Sequence, residues 1–135
     1  LYIDQECSVL DPGLTVFEQT ERFNASHLAE HELKSILNRC LFPYETWDKP
    51  CFCLSGGEKI RLLFCCLMIG NNAPDVFILD ELTNNLDIQS VEIITAAIKS
   101  YRGTVLLISH DHYFVKEIKI NRSIKLFDTG SVIKI

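Results

Sequence analysis

Two short apolar runs constrain this chain more than anything else in it. Val76 to Leu79 stops at Asp80-Glu81, and Thr104 to Ile108 stops at Ser109-His110-Asp111. Unbroken aliphatic and β-branched runs of this length suit strands buried on both faces. Between them, Val91, Ile94, Ile98 and Tyr101 recur at helical spacing over Ile88 to Tyr101, and Gly103 ends the pattern. Strand, helix, strand at this separation is a βαβ unit. Its strands are parallel, because a crossover of that length carries the chain back to the same end of the sheet. The expected class is α/β, with helices on a parallel sheet.

The remaining elements read more simply. Leu1 to Ile3 is apolar and fits a strand ending at Asp4 and Gln5, and Asp11-Pro12-Gly13 is a turn signal. Leu28, Leu33, Ile36, Leu37, Cys40 and Leu41 fall at helical spacing, and Phe42 to Cys53, with two prolines, reads as loop. Ser55-Gly56-Gly57-Glu58 opens a further helix, about Glu58 to Ile69. Serine at the cap with glutamate three residues later forms a capping box. Asn71-Asn72-Ala73-Pro74 stops that helix. In the tail, a short helix near Tyr113 to Ile118 precedes two strands, Ile124 to Phe127 and Val132 to Ile135. The turn residues Asp128-Thr129-Gly130-Ser131 join them as a hairpin.

Composition removes several function classes. A net charge of -5 leaves no basic footprint for nucleic acid or an anionic membrane. The longest apolar run, Leu62 to Ile69, is far short of the roughly 18 residues of a membrane span, and no leader pattern opens the chain. Leu1 in place of an initiating methionine points to a piece of a longer protein. The six cysteines make no Cys-x-x-Cys pair and no zinc spacing with histidine. They read as reduced, structural thiols of a cytosolic protein, with Cys65 and Cys66 inside an apolar helix.

Chemistry gathers at the strand ends. In open α/β sheets ligands bind beyond the carboxyl ends of the strands, where Asp80, Glu81, His110 and Asp111 stand. Paired carboxylates there suit a hard cation and a general base. An acidic pair after a strand is by itself a weak signal, since such residues often only cap. The Ser55-Gly56-Gly57-Glu58 turn offers free N–H groups and a helix N-terminus to an anion, although a plain capped helix start looks the same in sequence. His27, His31 and His112 show no ligand spacing, Trp47 reads as a packing anchor, and Phe17, Phe23 and Phe42 read as core.

Taken together, the motifs resemble those of ATP-binding cassette (ABC) ATPases. Leu54-Ser55-Gly56-Gly57-Glu58 is similar to the signature motif, and Val76 to Glu81 to the Walker B strand with its catalytic glutamate. Asn85-Leu86-Asp87 resembles the D-loop, Ser109-His110-Asp111 the switch histidine, and Gln5 the Q-loop glutamine. They stand in the family's order at its spacings. Leu79 to Ile88, with Asn84-Asn85-Leu86-Asp87, and Ser109-His110-Asp111-His112-Tyr113-Phe114 most resemble the ABC-F proteins, soluble tandem ATPases that act on the ribosome, some protecting it from antibiotics. The form of these motifs is most similar to the second cassette of such a tandem.

The resemblance implies a partial P-loop NTPase fold. A helical signature subdomain would cover about 11–72, and the RecA-like core 1–10 and 73–135. No Gly-x-x-x-x-Gly-Lys-Ser/Thr pattern occurs, and the resemblance places Walker A, its strand and the adenine-stacking aromatic upstream of Gln5. Leu82 stands where the family has proline.

The roles it implies are specific. Asp80 would hold magnesium through water, with Gln5 sensing metal and γ-phosphate. Glu81 would polarise the attacking water, and His110 would contact the γ-phosphate. Ser55, Gly56, Gly57, Glu58 and Asp87 would act on ATP across the interface with a partner cassette, in the same or another chain. The full-length protein is expected to hydrolyse ATP in the cytoplasm and to work on the ribosome, while this stretch alone would be inactive. The competing readings are the ATP-binding subunit of a membrane transporter and a non-enzymatic interaction module. A missing neighbour beside Thr104 to Ile108 would leave an apolar edge. The tail strand Ile124 to Phe127, or a second copy of the chain, is expected to cover it.

Overall fold

Strand β2 (Val76–Asp80) is the middle of a three-stranded parallel sheet, between β1 (Tyr2–Ile3) and β3 (Thr104–Ile108). The computed structural model describes residues 1–3, 7–70, 74–83, 86–126 and 132–134. Tyr2 pairs with Ile78 and Ile3 with Leu79, while β2 and β3 run in register from Val76 opposite Thr104 to Asp80 opposite Ile108. Helix α4 (Ile88–Ser100) makes the crossover from β2 to β3, so the expected βαβ unit is present. The Glu81 amide donates to the carbonyl of Ile108 at 2.9 Å, which carries the ladder one residue past β2.

Three helices separate β1 from β2: α1 (Val16–Phe23), α2 (Glu30–Arg39) and α3 (Gly56–Gly70). Helix α3 lies at the centre of the packing. Ile60, Leu62, Leu63, Phe64, Cys65, Cys66 and Ile69 are all buried, on every side of the helix, and α1, α2 and α4 each contact it. A helix apolar all round must be surrounded. Its neighbours approach closely at Gly70, where an added Cβ would come within 3.3 Å of the Phe23 carbonyl oxygen. Trp47 is buried, as expected of an anchor, and its Nε1–H donates to the carbonyl of Phe42 at 2.8 Å.

Helix α1 was not legible from hydrophobic spacing. Its signal is polar: Thr15 Oγ1 accepts from the Glu18 amide at 3.2 Å, and the Glu18 carboxylate accepts from the Thr15 amide at 2.8 Å. This second capping box fixes an eight-residue helix that buries Val16 along with the polar Gln19 and Thr20. The Phe42 to Cys53 loop holds two single 3-10 turns, Tyr44–Thr46 and Cys51–Cys53.

Two expectations fail at the sheet. The apolar runs are not buried on both faces. Phe77 and Leu79 are buried against the helices, but Val76 is exposed on the other face, and no residue of β3 is fully buried. Leu106 and Ile108 are 49% and 46% exposed. The tail strand also does not move in beside β3. Instead β4 (Ile124–Leu126) pairs antiparallel with β5 (Val132–Lys134), in a sheet of its own that follows α5 (His112–Ile118). A hairpin closes a short loop at small entropic cost, whereas pairing with β3 needs a longer closure around α5. β3 is thus an edge of its sheet among the described residues.

Candidate functional site

The expected site residues form two groups. The first stands where β2 and β3 end. Asp80 is the last residue of β2, half-buried, and its Oδ2 accepts the Tyr2 hydroxyl at 2.8 Å. Glu81 follows in the left-handed region, with φ at 51°. For a residue with a Cβ this conformation costs energy and is held by its surroundings. It turns the chain sharply, and Leu82, 1% exposed, is drawn into the core behind it. At the end of β3, His110 leaves an imidazole 96% exposed, with Nε2 3.4 Å from Glu81 Oε1. The structure therefore brings Glu81 and His110 together, with Asp80 one residue before the pair.

Asp111 is a cap. Its Oδ1 accepts from the amides of Tyr113 and Phe114 at 2.9 and 3.0 Å, which starts α5 and accounts for an acidic residue at this strand end without any ligand.

The second group surrounds the start of α3. The capping box is present: the Ser55 amide donates to Glu58 Oε2 at 2.8 Å, and the Glu58 amide donates to Ser55 Oγ at 3.3 Å. The helix begins at Gly56 rather than Glu58, so both glycines lie in its first turn. Partial burial raises the Glu58 carboxyl. The amide and hydroxyl of Ser55 and the Lys49 ammonium outweigh it, and the net shift is downward. The glycines differ. A Cβ on Gly56 would touch nothing within 4 Å, but on Gly57 it would lie 3.1 Å from Leu86 Cδ2, 3.7 Å from Ser90 Oγ and 3.8 Å from Asp87 Oδ2. Only Gly57 is needed for close approach.

Asp87 is the N-cap of α4. Its Oδ1 accepts from the Ser90 amide at 2.7 Å and its Oδ2 from the Ser90 hydroxyl at 2.8 Å. These bonds, the amide first, hold its carboxyl below the usual range. Gln5 and Asn85 lie outside the described residues.

Arg61 and Ser90, which stand in none of the motifs above, join this group through a 3.0 Å bond from Arg61 Nη1 to Ser90 Oγ. The available signal was a lone cation, four residues after Gly57, within the apolar stretch of α3.

A magnesium ion takes oxygen ligands, keeps several waters and is held by one or two carboxylates plus phosphates. Asp80 offers one such oxygen donor at a strand end. No cluster of three metal-ligating side chains exists among the described residues. This donor set fits a water-mediated magnesium and would not suit a fully caged metal.

Solved structures share this architecture. The dimeric ATP-binding cassette MJ0796, in a post-hydrolysis state bound to ADP and Pi, superposes with a TM-score of 0.63 over 86% of this chain and 54% of its own, at 21% identity. The archaeal ribosome recycling factor aABCE1, in complex with ribosomal stalk protein aP1, gives 0.69 over 98% of this chain and 26% of its own, at 20% identity. Identities this low speak for the fold alone, and that fold is the ATP-binding cassette.

A nearer relative gives the family. ABC transporter F family member 5 of Arabidopsis thaliana is 42% identical over 128 residues, 94% of this chain and 18% of that protein. The chain belongs to the ABC-F family. No protein-family model matches it. It spans less than a fifth of the length of the curated relatives it matches first.

Proposed function

We propose that the complete protein is an ABC-F ATPase that couples ATP binding and hydrolysis to conformational change on the ribosome, in the cytoplasm. The observation that carries this is the meeting of Glu81 and His110, 3.4 Å apart at the ends of adjacent parallel strands, with Asp80 beside them. In this reading Glu81 orients and polarises the attacking water as general base. His110, almost wholly exposed, reaches toward the γ-phosphate, and its contact with Glu81 keeps the two in one orientation. Asp80 would hold magnesium through water, and bound magnesium supplies charge neutralisation at the phosphates. Gln5 is assigned to sensing the same phosphates.

Ser55, Gly56, Gly57 and Glu58 present the N-terminal turn of α3 to ATP bound by a partner cassette. There the free amides and the positive helix end favour phosphate. Asp87 stands against Gly57 and works at the same interface. The division into a helical subdomain over 11–72 and a core formed by 1–10 and 73–135 belongs to this reading, as does placement as the second cassette of a tandem. The partner cassette is supported by the dimeric form of the MJ0796 structure. The ribosome is supported by family membership, and by a neighbour described with a ribosomal stalk protein. The exposed edge at β3 supports self-association of this stretch when it is isolated.

The test uses the complete protein with Glu81→Gln. It should bind ATP and fail to hydrolyse it, because the base is gone while binding contacts stay. It should cosediment with ribosomes in ATP and less in ADP. Undiminished hydrolysis would remove the role of Glu81, and cosedimentation indifferent to the nucleotide would remove the ribosome.

A further inference from the structure

Arg61 is 8% exposed, inside a helix whose other buried residues are almost all apolar. It follows Gly57 by one helical turn, so both face the same way. Its Nη1 donates to Ser90 Oγ at 3.0 Å and lies 3.7 Å from Asp87 Oδ2. The Ser90 hydroxyl, fully buried, passes the bond on to Asp87 Oδ2 at 2.8 Å. The guanidinium carbon sits 5.4 Å from the Phe42 ring centroid, and Nε has no hydrogen-bond partner among the described residues.

As a stabilising device this is poor. Desolvating a guanidinium is costly, and one neutral acceptor with a carboxylate at 3.7 Å repays only part of that cost. An apolar side chain would fill the space at lower cost. The guanidinium does something a methionine could not: it links α3 to the N-cap of α4, one helical turn after Gly57, where an added Cβ would meet Leu86 and Asp87. Buried ion pairs of this kind are best attested where they fix a register between elements.

We propose that Arg61 is a positioning residue that locks the Ser55–Gly57 turn and Asp87 into one rigid unit. Resting on the reading of these two motifs as the face that meets ATP on a partner cassette, the relay Arg61–Ser90–Asp87 sets the spacing between them. With the relay intact both motifs meet the partner's nucleotide together. With it cut, each wanders independently, and a higher ATP concentration is needed to hold the pair of cassettes closed.

The experiment is steady-state ATP hydrolysis by the complete protein, comparing wild type with Arg61→Met, Arg61→Lys, Ser90→Ala and the double variant Arg61→Met/Ser90→Ala. Losing a hydrogen bond to a charged group should raise KM for ATP about tenfold in Arg61→Met, with kcat changed much less. Ser90→Ala should raise KM similarly, Arg61→Lys less, and the double variant no more than either single change, since one chain of bonds is being cut twice. A merely structural role for Arg61 would instead lower the folded fraction and the apparent kcat in proportion, leaving KM in place. That result would overturn the proposal, as would additive effects of the two changes. Gly56→Asp separates the two levels, because it sets a carboxylate where this face would meet phosphate while its Cβ has open space. Hydrolysis lost in Gly56→Asp with KM unmoved in Arg61→Met removes only the coupling, whereas hydrolysis and KM unchanged in Gly56→Asp remove the reading of this face beneath it.

Discussion

Side chains added at Gly56 and at Gly57 should have opposite consequences, although the glycines are neighbours in one helical turn. At Gly56 a Cβ meets no atom within 4 Å. Replacing a helical glycine with alanine then reduces the freedom of the unfolded chain and stabilises by about 0.5–1 kcal/mol. At Gly57 the same Cβ lies 3.1 Å from Leu86 Cδ2, inside the 3.5–4.0 Å optimum for carbon contacts, so Leu86 must retreat by a few tenths of an ångström. Alanine there should come out near neutral. Valine places two further carbons about 1.5 Å beyond Cβ, toward Ser90 Oγ at 3.7 Å and Asp87 Oδ2 at 3.8 Å. Overpacking of this kind costs about 1–3 kcal/mol, and displacing Asp87 from its cap adds about 1 kcal/mol. The expected loss for Gly57→Val is therefore about 2–4 kcal/mol.

Hydrogen exchange of the complete protein, followed on peptides from α3 and the first turn of α4, reads this directly. Protection should rise severalfold in Gly56→Ala and fall by about 30-fold to several hundredfold in Gly57→Val. Equal effects at the two positions, or unchanged protection in Gly57→Val, would refute the packing described between α3 and the Leu86–Asp87 segment.

Two further outcomes follow from side-chain chemistry. Glu58 is held below its ordinary value of 4.5 in the folded chain, so its contribution is complete above that pH and is lost as pH falls through the lowered value. Glu58→Gln should therefore flatten the acid limb of the stability profile below about pH 4.5, measured by urea unfolding across that range, with little change in its pH slope near neutrality. Among the thiols, Cys53 is exposed, while burial pushes Cys51 to about 11 and raises Cys66 further. Iodoacetamide at pH 8 should label Cys53 in the native protein and reach Cys51 and Cys66 only after unfolding; peptide mass mapping that found all three equally labelled would contradict the packing of α3.

Local signals were legible wherever one physical requirement acts over a few residues. The Ser55–Glu58 box, the run of β2 and the helical spacing over Ile88 to Tyr101 could be read because capping and hydrophobic spacing need no distant partner. Helix α1 was missed because its buried face includes Gln19 and Thr20, so apolar spacing fades and only the Thr15–Glu18 box remains. Asp111 looked like chemistry and is a cap, since the same carboxylate serves either purpose in sequence.

What the sequence determined by itself is the order of the elements apart from α1, and the chemical type of the residues at the strand ends, because backbone preference and side-chain chemistry are local. It also carried enough motif order to indicate the family. Which face of each strand is covered was decided only in three dimensions: an apolar run does not reveal whether a neighbour packs on it, and β3 is left with Leu106 and Ile108 in the open. The same holds for the partner of the tail strand, where the short closure of the β4–β5 hairpin prevails over pairing with β3. It holds most of all for Arg61, whose cation meets Ser90, 29 residues away, only once α3 and α4 are packed together.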